Sequence, residues 1–122
     1  MTLPEWPLFV VRDDAVLEIC ESLEDARRDY EGIDVESGVY HFVDSTGVVA
    51  KPIFTTPNEH SKVLGLISTC SSGVFEFEQA GRCDDEAVER FLDGVDFLET
   101  NTRFSTLDEV RDHLKSAVNA TR

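Results

Sequence analysis

Positive charge is what this sequence has least of. Eleven Lys and Arg stand against 25 Asp and Glu, a formal net charge of -14. Nucleic acid is held by Lys and Arg that neutralise phosphates, so the balance argues against it as a direct partner. The same deficit argues against an anionic membrane surface. Cysteine is also scarce. Cys20, Cys70 and Cys83 form an odd set with no Cys-x-x-Cys spacing, the usage of a reduced compartment. No apolar run approaches the roughly 18–20 residues that a spanning helix needs. The opening MTLPEWPLFVVRDD has no basic stretch, and two Pro, a Glu and a Trp interrupt it, so it does not read as a signal peptide. Together these absences predict a cytoplasmic protein.

What is present suffices for a packed interior. The chain has 122 residues, 41% of them hydrophobic, with eight Phe, enough for one core without metal or disulfide staples. No linker rich in Pro, Gly or Ser divides it, so residues 1–122 are read as one domain.

The apolar pattern predicts an α+β fold. Residues 8–11 and 15–20 are short β-type runs around Arg12-Asp13-Asp14, a hairpin. Ser22 then caps a helix carrying Leu23, Ala26 and Tyr30 on one face and stopping at Gly32. Residues 33–38 read as a turn-rich link and 39–43 as a strand. Asp44-Ser45-Thr46-Gly47 is a turn, and 48–51 returns as a strand that ends at Pro52 or lies at a sheet edge. Residues 55–61 read as loop, followed by strands at 62–69 and 74–78 around Ser71-Ser72-Gly73. In the second of these strands alternation buries Phe75 and Phe77. Helical spacing of Ala87, Val88, Phe91, Leu92, Val95 and Leu98 predicts one amphipathic helix over 84–99. Thr106 and Glu109 form a capping box for a last helix with Leu107, Val110, Leu114 and Ala117 as its stripe. The expected architecture is an antiparallel sheet of four to six strands, with one helix after the first hairpin and two C-terminal helices packed on one face. Phe91, Leu92, Leu98, Val110 and Leu114 are expected in the core.

Few residues suggest catalysis or metal binding. Asp34-Val35-Glu36-Ser37-Gly38 fails as a calcium loop, because the sixth position counted from Asp34 is Val39 and the twelfth is Ser45. His41, His60 and His113 stand apart from one another and from any Cys. His113 is read on the polar side of the last helix, and His41 mid-strand. Cys70-Ser71-Ser72-Gly73 lacks a nucleophile elbow. Neither a metal nor a cofactor is implied, and an enzyme is the weaker reading.

The acids themselves are concentrated. Residues 13–36 hold ten acids and two bases, a net of -8, and residues 76–99 hold nine and two, a net of -7. Residues 37–75 balance at zero. On the helix expected at 84–99, Glu86, Glu89, Asp93 and Asp96 follow one another by three or four residues. Like charges at that spacing cost roughly 0.2–0.5 kcal/mol per pair. A solvated face explains either segment alone. The two together predict a surface for a basic protein partner, with Glu86, Glu89, Asp93 and Asp96 from one segment and Glu24, Asp25 and Asp29 from the other. Two alternatives stay open: a ligand-binding or enzymatic domain using His41 or His60, and a structural subunit of a larger assembly.

The stretch SLEDARRDYEGIDVESGVYHFVDSTG, residues 22–47, joins a short capped helix to I-D-V-E-x-G-x-Y and a strand closed by D-x-x-G. It resembles small, acidic, largely uncharacterised bacterial proteins, a kind that includes immunity proteins neutralising a neighbour-directed toxin. The resemblance implies an acidic binder whose partner is a toxin. It brings no catalytic motif, so no functional residue is carried over.

Overall fold

The computed structural model describes residues 2–57 and 73–120 in full and the backbone of 59–63 and 67–71. Strands β1 (Leu8–Arg12), β2 (Val16–Cys20), β3 (Tyr40–Asp44), β4 (Val48–Thr56), β7 (Val74–Arg82) and β8 (Phe97–Leu98) form one sheet. Its order is β7-β4-β3-β1-β2-β8. All pairings in it are antiparallel except that of β8 with β2. Strands β5 (Glu59–Val63) and β6 (Ile67–Ser71) form a separate antiparallel pair. The α+β class and the two C-terminal helices on one face agree with the sequence pattern.

Strand β1 is central and buried on both sides. Leu8 and Val10 face one cluster, which contains Ala26, Tyr30, Val35, Phe42, Phe75 and Phe77. Phe9 and Val11 face the other, which contains Val88, Leu92, Val110, Leu114 and Val118. Helices α1 (Leu23–Asp29) and α2 (Gly32–Ser37) thus cover one face, and α3 (Asp85–Leu92) and α4 (Leu107–Ala120) the other. Ser22 caps α1 by accepting from Asp25 N at 3.1 Å. In α4, Thr106 Oγ1 accepts from Glu109 N at 3.1 Å while the Glu109 carboxylate accepts from Ser105 N. This is a capping box displaced by one residue.

Several boundaries differ from those the sequence pattern suggests, each for a physical reason. The link at 33–38 is the helix α2. Tyr30 is extended and ends α1, and Gly38 at φ 84° closes α2 by donating to Val35 O. Strand β4 runs through Pro52 to Thr56, and β5 starts at Glu59, so the loop at 55–61 shrinks. Phe75 O and Gln79 N are bonded outside the ladder, to Arg27 and Thr2, so alternate residues of β7 turn away from β4. Pro52 pairs with Phe77, one of those residues, where no N–H is required. Beyond Val49, β4 has no pairing with β3, which makes the edge reading of Pro52 the correct one. The strand at 62–69 is instead the end of β5 and the start of β6, with 64–66 outside the described residues, as is Ser72 of the turn at 71–73. Strand β7 continues past Glu78 to Arg82.

The largest correction concerns 84–99. Asp84 caps α3 through Ala87 N at 2.7 Å, but the helix ends at Leu92. Asp93 is extended, Gly94 takes φ 80°, and Phe97–Leu98 pair with Val16–Leu17. Val95 and Leu98 continue the helical spacing, but Gly94 at φ 80° ends the helix before them, so the period alone misled. Phe91 and Leu98 are consequently half-buried, whereas Leu92, Val110 and Leu114 are core as expected. The stripe of α4 ends on buried Val118, with Ala117 half-exposed.

Among the described residues Asp44 is the buried charged one, with none of its surface exposed. Oδ1 accepts from Thr46 N, Thr46 Oγ1 and Val48 N at 2.9, 2.7 and 3.0 Å. Oδ2 accepts from Glu5 N at 3.1 Å and Gln79 Nε2 at 2.8 Å. Burial pushes its pKa up, but the hydrogen bonds from Gln79, Glu5, Thr46 and Val48 outweigh this and hold it below the ordinary 3.8.

Two predictions follow from this packing. Asp44→Asn keeps the shape but turns a donor toward donors, and should cost about 2–4 kcal/mol in urea unfolding. Because the folded pKa is depressed, the stabilisation is present above pH 3.8 and lost as pH falls through the folded value. The gap between parent and variant should therefore narrow on acidification, and a gap constant from pH 7 to pH 3 would refute the assignment. Separately, Leu114→Ala should cost about 2–5 kcal/mol. Phe91→Ala should cost less than the same chemistry does in a closed core, because its ring is already half exposed.

Candidate functional site

The two acidic segments meet, though not where the pattern of helix charges put the surface. The segment after α3 crosses to the β1–β2 hairpin, where Asp96 N donates to Ala15 O at 3.0 Å and Glu99 N to Leu17 O at 2.9 Å. This places Glu99 beside the carboxylates of residues 13–34. A cleft of about 670 Å³ results, walled by Asp13, Asp14, Glu18, Asp29, Asp34 and Glu99 with Tyr30, Tyr40 and Arg12. Six carboxylates surround one guanidinium.

Local structure fixes the walls. The hairpin turns at Ala15, which has φ 67°, so Arg12 and Asp14 lie on the same side of it. The Arg12 guanidinium pairs with both Asp14 and Glu18. These hydrogen bonds push Arg12 further up, and the bond from Arg12 holds Asp14 down. Tyr30 is buried where α1 ends, and its hydroxyl donates to Glu18 Oε2 at 2.6 Å. Burial first, then this hydrogen bond and the charge of Glu18, push the Tyr30 phenol up. The Tyr40 ring packs on Tyr30 with centroids 4.6 Å apart, and burial and Asp34 raise its phenol too. Both tyrosines are therefore neutral at pH 7, and the half-buried Tyr40 presents its ring among carboxylates. Such a surface suits a guanidinium or ammonium, by charge and by cation–π contact.

The expected partner-binding residues divide into three groups. Asp29 lines the cleft. Glu24 is exposed on α1, and Asp25 pairs with Arg28 at 3.2 Å. Glu86 and Glu89 lie on α3, across the sheet from α1, so the two helices do not make one surface. Glu86 pairs with Arg90 at 3.0 Å. Glu89 meets Lys115 at 2.6 Å and Arg111 at 3.2 Å from α4, and the Lys115 hydrogen bond lowers its pKa. Asp93 and Asp96 are exposed but off the helix. Asp13, Asp14, Glu18, Asp34 and Glu99 were hidden by treating the run at 84–99 as a helix and Asp34 as a turn residue. The segment charges of -8 and -7 did contain them.

The histidines are also placed. His41 is exposed on β3, at a groove of about 440 Å³ shared with Val49, Arg90, Phe91 and Asp93. No hydrogen bond or ion pair joins it to Asp93. The side chains of His60 and Cys70 lie outside the described residues. His113 is not on a polar face: its ring packs 5.6 Å from Phe9 and 5.4 Å from Phe104, and Nε2 lies 2.9 Å from Ser45 O. Among the described residues no group of three or more His, Cys, Asp or Glu could hold a metal ion, and no helix is long and apolar enough to cross a membrane.

Cys20 and Cys83 are free, buried thiols. Burial pushes Cys20 up to about 12, and burial and Asp84 raise Cys83, so neither has thiolate character at neutral pH. In a Cys70→Ser background, Ellman's reagent at pH 8 should label no thiol within minutes until the protein is denatured. A rapidly labelled thiol in the folded protein would contradict this placement.

Comparison of the chain with protein-family models, with curated proteins and with solved structures finds no match in any of the three, so only the chain's own residues speak to what the cleft holds.

Proposed function

We propose that the protein binds a basic protein partner through the cleft between the β1–β2 hairpin, α1, α2 and the segment after β8. The observation that carries this is convergence. Carboxylates from residues 13–34 and Glu99, far apart in sequence, line one concave surface with a single guanidinium among them. On α3 the fold supplies Arg111 and Lys115 to Glu89, whereas six cleft carboxylates share Arg12 among the lining residues and Arg28, which pairs with Asp29 at 3.0 Å. Uncompensated like charge is locally unfavourable, and an opposing cationic surface would relieve it while steering encounter. The stretch 22–47 contributes Asp29, Tyr30, Asp34, Val39 and Tyr40 to the cleft. This fits the likeness of that stretch to immunity proteins, with a basic toxin as the partner it would neutralise.

Charge changes of opposite sign test the proposal. Asp34→Lys with Glu99→Lys should weaken capture of a basic protein from the native cell, and Glu86→Lys should leave it unchanged. Arg12→Gln removes the internal competitor and should strengthen capture. Retention should fall steeply between 0.05 and 0.5 M salt, where the Debye length shrinks to roughly 4 Å. If the double reversal retains the same basic protein as the parent across that range, the cleft is a solvated surface only.

A further inference from the structure

A second cavity lies at the other end of β1 and on the other face of the sheet. It encloses about 430 Å³ and is lined by Trp6, Phe9, Ser45, Arg103, Phe104 and His113 beside Pro7. Phe9, Phe104 and His113 form a ring cluster with centroids 5.4–5.6 Å apart. Trp6 also lines it, while its ring packs edge-on to Phe77 of the α1–α2-side cluster at 6.0 Å. An apolar cavity of this size with a few convergent polar groups is the usual form of a small-molecule site.

The polar groups at its mouth are preset. Asn101 Oδ1 accepts from Arg103 N at 2.8 Å and Phe104 N at 2.7 Å, which fixes both residues before any ligand arrives. Arg103 Nε donates to the Glu21 carboxylate at 2.8 and 3.0 Å, while its two terminal nitrogens have no hydrogen-bond partner among the described residues. The 2.9 Å contact of His113 Nε2 with Ser45 O orients that ring and leaves its other nitrogen without a partner among the described residues. The mouth thus offers guanidinium donors beside aromatic rings.

We infer that this cavity is a binding site for a planar aromatic carboxylate, its ring against the half-buried Trp6 and Phe104 and its carboxylate on the free edge of Arg103. The charge of the whole chain makes the inference testable. At a net charge of -14, unspecific association favours a neutral ring compound over its carboxylate. Only a local cationic donor reverses that order.

The probes are 2-naphthoate and its neutral isostere 2-naphthamide. The readout is the indole N–H resonance of Trp6, the single tryptophan, in proton–nitrogen correlation spectra. The expected result is a saturable shift with naphthoate bound roughly tenfold more tightly than the amide, the scale of a charge-assisted hydrogen bond. Arg103→Gln should erase that preference. Glu21→Gln, which frees the guanidinium, should enlarge it. Arg103 and Glu21 form an exposed pair, and such pairs contribute little to stability, so both variants should fold. No saturable shift up to 5 mM, equal binding of the two probes by the parent, or an unchanged preference in Arg103→Gln would each overturn the inference.

Discussion

The carboxylate of Asp44 is the constraint around which the rest of the chain is arranged. A buried charge is tolerated only when its lone pairs are filled, and here five donors from four segments fill them. They tie the N-terminal stretch to the β3–β4 turn and that turn to β7. The turn then has a fixed position, which two further contacts use. Gly47 sits against Val118 of α4, where a Cβ would come within 2.5 Å of a methyl group, and its φ of 82° suits glycine. Its carbonyl accepts from Cys83 N at 2.8 Å, delivering the chain to the start of α3. One side chain thereby sets where both C-terminal helices meet the sheet.

The acidic cleft and the α3–α4 pair differ in how their carboxylates are balanced, although α1 itself pairs Arg28 with Asp25 and Asp29. On the α3–α4 side, acids and bases lie on facing helices and compensate each other, as Glu89 does between Arg111 and Lys115. On the α1–α2 side, the only guanidinium among the residues lining the cleft is Arg12, already committed to Asp14 and Glu18. The run from 84 to 99 therefore has two answers rather than one. Its first half keeps a helix in water and is balanced within the fold, and its second half carries charge across to the hairpin. Density of acid in sequence does not distinguish these cases, but the geometry of the neighbouring bases does.

Elements whose pattern and end chemistry agreed were legible in the sequence. The hairpin around Arg12-Asp13-Asp14, the Ser22 and Thr106 caps, and the Phe75/Phe77 alternation all appear as the residues suggested. Legibility failed where one pattern admits two structures. Ile33 to Ser37 is too short, and too tightly framed by glycines, for helical periodicity to show. Val95 and Leu98 continue a helical stripe that Gly94 in fact breaks. Pro52 reads as a stop unless the register of its partner strand is known. Asp44 reads as turn chemistry, because burial is a tertiary property that a single Asp-x-x-Gly does not encode. The cleft was half legible: its charge was visible in the segment counts, but its members depend on the pairing of β8 with β2.

The alternation of β1 finally sends side chains of one strand both to the acidic cleft and to the aromatic cavity. Phe9 points to the α3–α4 face and lines the aromatic cavity, whereas Arg12, three residues later, reaches the cleft beside Glu18 and Tyr30 on the other face. Period-two geometry sends these side chains through opposite faces of the same strand. The two regions nevertheless meet along the chain: Glu99 lines the cleft and Arg103 the cavity, and Asn101 between them donates to Glu99 O at 2.9 Å and accepts from Arg103 N at 2.8 Å. The short loop from Glu99 to Phe104, fixed by the side chain of Asn101, therefore joins the two regions beside the sheet that Asp44 holds in register.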